Sequence, residues 1–313
     1  MFKTIRDYFN PHDIYRILKK AERSGHKRFL VVWNRGLGDV ALGLYTFIKK
    51  IKEHIPDAEI TFITRPDLLE AFYFLEGVMA IAVPWWKRGD RLRRLDAIDA
   101  LKRLKMDADY DVIIEKIDPT KHLKEQIGRI VPRLIWKDFY DDLHKRFDDI
   151  FFIAKGKKII GAHIETETQR FYGYKKDWDL EKWKTLFDML KKGGFFIVLF
   201  GLEKKHGFEN DRIIDLRGKT TLLECLSIIK NRCNVLLAPD SGILSLTYYI
   251  DSTFPIAVVS LWADSAQGVL KQAVASPNKG LKHMPIIGKD GDISRITPEE
   301  VYETIEAVFK ETS

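Results

Sequence analysis

One rhythm is written twice along this chain, and it leaves few folds open. Apolar runs of strand length alternate with segments of helical spacing. The first series runs "RFLVVWN" (28–34), "DVALGLYTFIKKIKEHI" (39–55), "AEITFIT" (58–64), "PDLLEAFYFLEG" (66–77), "MAIAVP" (79–84), a basic helix over 90–105 and "YDVIIEKI" (110–117). The rhythm lapses over "KRFDDIFFIAKGKK" (145–158), which reads as a linker, and then restarts. The second series is "KIIGAHI" (158–164), "DLEKWKTLFDMLKKGG" (179–194), "FFIVLFG" (195–201), "TLLECLSIIKNR" (221–232), "NVLLAP" (234–239), "SGILSLTYYI" (241–250) and "FPIAVVSLW" (254–262). Strands that are apolar along their whole length belong to parallel sheets covered on both faces, and helices between them supply the crossovers. The expectation is α/β throughout: one unit over 1–150, a second over 158–296, and a terminal helix over 297–313 with Thr297 as its N-cap and Pro298 at its first position. Residues 2–20 add one or two short helices broken at Pro11.

A chain of 313 residues accommodates two such units. At 45% hydrophobic and 31% charged, the composition is that of a folded globular protein, which excludes disorder over any long span. Apolar runs such as "FFIVLFG" fall short of the roughly 20 residues that span a bilayer. The charged first residues lack the continuous apolar core of a signal peptide, so a cytoplasmic location is expected. Cys225 and Cys233 fit neither a redox pair nor a zinc knuckle and read as reduced packing thiols. No His, Asp and Glu cluster has metal-ligand spacing; His163 and His206 read as core or surface residues. The net charge of +7 is uneven: "KRGDRLRRLDAIDALKRLK" (87–105) follows Trp85 and Trp86. Cations beside paired tryptophans suit an anionic surface, although a solvated helix face above a tryptophan plug has the same sequence. No nucleic-acid-binding motif is present.

In open parallel sheets, ligands bind beyond the carboxyl ends of the strands. Two turns there carry chemistry. "GLGDVA" (36–41) matches the dinucleotide pattern G-x-G-x-x-A, but the acid that should end the next strand is replaced by Thr64-Arg65. Arg65 could meet a 2′-phosphate, yet Asp39 would repel a pyrophosphate. The other reading uses the acid: a carboxylate at a helix start stays ionised and can accept a proton from an attacking hydroxyl. A plain capping aspartate remains the simplest alternative.

In the second series, Asp240, Ser241 and Gly242 open a helix, where free N–H groups suit a phosphate. "ETETQRFYGYKKDW" (165–178) brings Thr166, Thr168, Arg170, Lys175 and Lys176 to the same edge, where a lysine would neutralise a diphosphate. Glu203 stands just past the strand "FFIVLFG", where an acid can hold ribose hydroxyls. "RGKTTLLE" (217–224) lacks the first glycine of a P-loop, because Ile213 occupies its position.

The ordered set "RGLGDVALGLYTFIKKIKEHIPDAEITFIT", "KKDWDLEKWKTL", "FIVLFGLE", "IIDLRGKTTLLECLSII" and "VLLAPDSGILSLTYYI" resembles glycosyltransferase family 9, the ADP-heptose:lipopolysaccharide heptosyltransferases, over about residues 29–262. The resemblance implies a GT-B fold: two facing Rossmann-like domains with a central cleft, the acceptor on the first and the nucleotide sugar on the second. The terminal helix would cross back to the first domain. It implies an inverting transferase that needs neither metal nor cofactor and moves a heptose from ADP-heptose to a lipid-linked lipopolysaccharide core. Asp39 matches the proposed general base, and Arg35, Gly38 and Arg65 become candidate acceptor contacts. Lys176 matches the phosphate-binding lysine, Glu203 the ribose acid, and Asp240, Ser241 and Gly242 the D-S-G turn; Thr166 and Thr168 join them as candidate donor contacts. An anionic acceptor implies peripheral contact with the cytoplasmic face of the inner membrane, through the basic segment after Trp85 and Trp86. Two positions depart from the family: Ser245 stands where it has histidine, and the loop before Lys176 is longer than in most members. Three other readings stay open: a non-catalytic binding protein on the same fold, a nucleotide-sugar 2-epimerase, and an NADP oxidoreductase.

Overall fold

The structure, a computed structural model, describes residues 14–115, 130–166, 176–208, 211–252 and 256–311. The chain divides into two compact units, Met1–Pro132 and Arg133–Ser313. The helix expected ahead of Pro11 lies outside the described residues.

The first unit opens with α1 (Ile14–Arg23) and continues through β1 (Arg28–Val32), α2 (Tyr45–His54), β2 (Glu59–Thr64), β3 (Val78–Ala82), α3 (Arg94–Arg103) and β4 (Val112–Ile114). The strands are all parallel, in the order β3-β2-β1-β4. Phe29, Leu30 and Val31 in the middle of β1 are fully buried, as a central strand covered on both faces requires. One face of the sheet packs Leu30, Val32 and Ile63 against Ala97, Ala100 and Leu101 of the basic helix and against Trp86. The expected tryptophan pair therefore splits. Trp86 is core, while Trp85 is 39% exposed with the Arg103 guanidinium 4.2 Å above its ring. The segment Pro66–Phe74, expected as a helix, is 3₁₀.

The second unit contains β5 (Ile159–His163), α4 (Leu180–Lys192), β6 (Phe196–Phe200), β7 (Ile213–Asp215), α5 (Leu222–Arg232), β8 (Val235–Pro239), α6 (Gly242–Tyr249), β9 (Ile256–Trp262), α7 (Gly268–Gln272), β10 (Leu281–Ile287) and α8 (Pro298–Glu311). Its described strands form one parallel sheet, ordered β10-β9-β8-β5-β6-β7. Thr221 caps α5 in a box with Glu224: its hydroxyl accepts from Glu224 N, and the Glu224 carboxylate accepts from Thr221 N.

Two segments near the expected boundaries pack within the second unit. Residues Asp138–Ala154, whose later part reads as linker, are short helical turns built onto α5. His144 N donates to Ser227 Oγ at 3.1 Å, Lys230 pairs with Asp141 at 2.5 Å, and Arg146 pairs with Glu224 at 2.6 Å. The alternating acids and bases that break the apolar rhythm here are the groups that dock it. The terminal helix packs on α4 and β9 of the second unit. Its stripe of Val301, Ile305, Val308 and Phe309 enters the core beside Leu186, Leu190 and Phe195. Burying such a side chain contributes roughly 1.5–3 kcal/mol, enough to hold the helix where its apolar face fits.

Candidate functional site

Both sheets place their neighbours so that a crevice opens beyond the carboxyl ends of two strands whose connections run in opposite directions. In the second unit those strands are β5 and β8, which pair directly. The chain leaving β8 delivers Asp240, and Lys176 joins it there: the ammonium is paired with Asp240 Oδ2. Both side chains are sheltered, at 20% and 7% exposure. Ser241 caps α6, its hydroxyl oxygen accepting from Leu244 N at 3.3 Å. The N–H groups of Gly242 and Ile243, two and three residues beyond Asp240, have no acceptor within the helix. A cation next to outward N–H groups at a helix start is the arrangement that holds a diphosphate. Gly268, at the start of α7, completes the floor. Its φ is +44°, and a β-carbon there would stand 2.5 Å from Asp240 Oδ1 and 2.9 Å from the Trp262 ring.

Thr166 has a partner for its hydroxyl inside the protein. Its backbone N and its Oγ1 both donate to Asp177 Oδ1, at 2.7 and 2.6 Å, and it is 6% exposed. It fastens the base of the loop that ends at Lys176. Burial raises the Asp177 carboxyl above its ordinary range, and the two bonds from Thr166 oppose that rise. Thr168, Arg170 and Lys175 lie outside the described residues. Ser245 is buried and donates back to Ser241 O at 3.1 Å, so its hydroxyl serves the helix. Burial pushes His163, at the end of β5, down to about 4.

Glu203 is exposed just beyond β6, as expected. Its loop is clamped by a residue the sequence reading passed over. Arg217, 1% exposed at its side chain, donates from Nε and Nη2 to the two Asp215 oxygens at 2.9 and 2.8 Å. Nη2 also donates to His206 O at 2.6 Å, and the guanidinium lies 5.4 Å from the centre of the Phe208 ring. These hydrogen bonds push Asp215 down to about 2. The signal available was an arginine two residues after an acid at a strand end, "DLRG" (215–218).

In the first unit, the turn after β1 carries Arg35, Gly38 and Asp39. Leu37–Asp39 form a helical turn, and Val40–Leu44 continue it as a π-helix before α2. Such wide turns recur at functional sites. Asp39 Oδ2 accepts from Gly36 N at 3.2 Å and lies 4.0 Å from Arg35 Nε. The Asp39 and Arg35 side chains are 32% and 45% exposed, open to a ligand. Arg65 is not: it is 2% exposed, with Nε bound to Asp67 and Nη1 to Asn34 Oδ1 and Arg35 O. Three of its five N–H donors are thus bound inside the protein.

A cavity of about 420 Å³ in the second unit is lined by Phe151, Lys155, Ile159, Arg232 and Asn234. Ile159 and Asn234 precede or begin strands, so it opens at the opposite edge from Lys176. Among the described residues, no three His, Cys, Asp or Glu side chains are grouped to hold a metal ion, and no helix is long and apolar enough to cross a membrane.

Residues 128–270 match glycosyltransferase family 9 (heptosyltransferase). A glycosyltransferase family 9 structure from Veillonella parvula aligns over 91% of this chain and 97% of its own, at 16% identity and a TM-score of 0.57. The iron-containing dodecameric glycosyltransferase TibC of enterotoxigenic E. coli aligns over 92% and 78%, at 12% identity and a TM-score of 0.52. The E. coli heptosyltransferase WaaC with ADP aligns over 90% and 99%, at 15% identity and a TM-score of 0.48. No curated protein matches the chain in sequence. The chain has the GT-B fold of these structures. The match to the glycosyltransferase family 9 (heptosyltransferase) model spans less than half of the chain. That span takes in Lys176, Glu203 and Asp240 and leaves Asp39 outside.

Proposed function

We propose that the protein transfers a heptose from ADP-heptose to an anionic, lipid-linked glycan acceptor, with inversion at the anomeric carbon. The observation that carries the donor side is Lys176 held by Asp240 beside the N–H groups that open α6. In this reading the donor diphosphate lies across that edge, and Glu203 takes the ribose hydroxyls. The acceptor hydroxyl gives its proton to Asp39 as its oxygen bonds to the anomeric carbon. The bond from that carbon to the diphosphate breaks, and ADP departs with its charge met by Lys176 and the helix N–H groups. Arg35 and Gly38 flank the acceptor. The solvent-exposed Trp85 and the cations of 87–105 meet its anionic groups at the cytoplasmic face of the inner membrane.

One observation favours a second reading, a diverged protein that binds a nucleotide or glycan without turnover or uses another sugar nucleotide. Ser245 fills the position of the family histidine and turns its hydroxyl into the helix. A thermal-shift panel of ADP, UDP, GDP and ADP-heptose, on wild type and Lys176→Ala, separates the cases. A ligand at about 100 times its Kd stabilises the fold by roughly 2.7 kcal/mol, a shift of several degrees. Stabilisation by ADP and ADP-heptose that Lys176→Ala weakens supports the proposed donor. Stabilisation by UDP or GDP alone moves it to another sugar nucleotide. A shift without transfer to any glycan acceptor supports the binding protein.

A further inference from the structure

We infer that Arg65, together with Asn34, is the positioning residue for the turn that presents Asp39, acting on the catalytic rate through that turn and not by touching the acceptor. This inference rests on the reading of Asp39 as the base.

Residues 33–36 leave β1 without regular secondary structure, so ladder hydrogen bonds do not fix the path to Asp39. Beyond Trp33 N, which donates to Ile63 O at 2.9 Å, Arg65 supplies the anchorage. Its Nη1 reaches two successive residues of the turn, Asn34 Oδ1 at 2.8 Å and Arg35 O at 3.0 Å. Asp67 holds its Nε from the other side at 2.9 Å. Asn34 passes the restraint on: its Nδ2 donates to Lys87 O at 3.0 Å and Asp90 O at 3.1 Å. Its amide orientation is forced, since guanidinium only donates and carbonyl only accepts. One buried cation thus ties the carboxyl ends of β1 and β2 to the basic loop that follows β3. Gly36 N, the next amide along, donates to Asp39 Oδ2, so the restrained turn ends on the carboxylate itself. Lysine would keep the charge and lose the fork, because it cannot hold Asp67 and two turn acceptors in one plane. Misplacing a base by about an ångström costs on the order of 100-fold in rate.

The experiment compares wild type, Arg65→Lys, Asn34→Ala and Asp39→Asn for kcat, for KM of both substrates, and for amide hydrogen exchange over 33–40. Expected for Arg65→Lys is a 10- to 100-fold lower kcat with both KM values within about threefold, and at least tenfold faster exchange at 35–39 with β1 and β2 unchanged. Asn34→Ala should move the same quantities in the same direction by less, and it serves if Arg65→Lys does not fold. A raised acceptor KM with unchanged kcat would make Arg65 an acceptor contact and overturn the inference. Unchanged exchange in both variants would overturn it as well. Full activity in Asp39→Asn would remove the base instead, and the exchange data would still judge the anchorage on their own.

Discussion

The two units share a topology and differ in how their working edges are built. In the second, charge meets charge at the strand ends: Lys176 with Asp240, Arg217 with Asp215, and Lys205 with Glu165 at 2.6 Å. The first of those pairs stands at the turn that opens α6. In the first, one buried arginine holds a turn in place, and the group at the end of it is a half-open carboxylate that can accept a proton. The proposed function therefore asks a binding edge of one unit and a reactive edge of the other, on sheets whose central strands follow the same order. Fold sets where loops gather, and their residues set what the edge does.

That contrast can be broken by experiment. Asp39→Asn should have the largest effect, lowering kcat by roughly 100- to 10,000-fold while leaving the ADP-induced thermal shift at its wild-type value. A lost shift would mean that the two edges are not separable. Lys176→Ala should do the reverse, weakening ADP binding by roughly 10- to 100-fold by calorimetry with no change in exchange at 35–39. Gly268→Ala tests the floor of the second edge. The added β-carbon meets Asp240 at 2.5 Å, and a positive φ already disfavours a side chain, so stability should fall by about 1–3 kcal/mol and ADP affinity with it. Normal affinity in a stable variant would show that Asp240 does not set Lys176.

The smallest effect concerns acid. His163 and His283, both in the second unit, are pushed down to about 4 by burial. Their folded values lie below the unfolded value of about 6.5, so the unfolded chain binds more protons between those limits. Stability is full above about pH 6.5 and declines as pH falls toward 4. The decline should appear in exchange from β5 and β10, and His163→Gln should lessen it. Asp215 acts lower on the scale: held down to about 2 by Arg217, it stabilises above about pH 4 and loses that contribution as pH falls toward 2.

Most strands were legible because a buried parallel strand must be apolar along its length, as in "RFLVV", "IIGAH" and "VLLAP". Two were not. β7 is three residues long, and β10 is an edge strand with Pro285 and a largely exposed face, so neither carries the periodic signal of a half-buried element. Asp39 and Asp240 stand a few residues past apolar runs, where a parallel sheet opens to ligands, and Lys176 lies in the polar stretch between β5 and α4.

By itself, the sequence determined the class: two parallel α/β units, each with an acid at a strand-to-helix turn. Tertiary structure alone decided which polar groups remain to meet a ligand. Thr166, Arg65 and Ser245 have the chemistry of contacts, and packing gives them partners inside the protein: Asp177, Asn34 with Arg35, and Ser241 O. A linear pattern records which side chains can donate or accept. Only packing, which makes an unpaired buried polar group costly, assigns each one its partner.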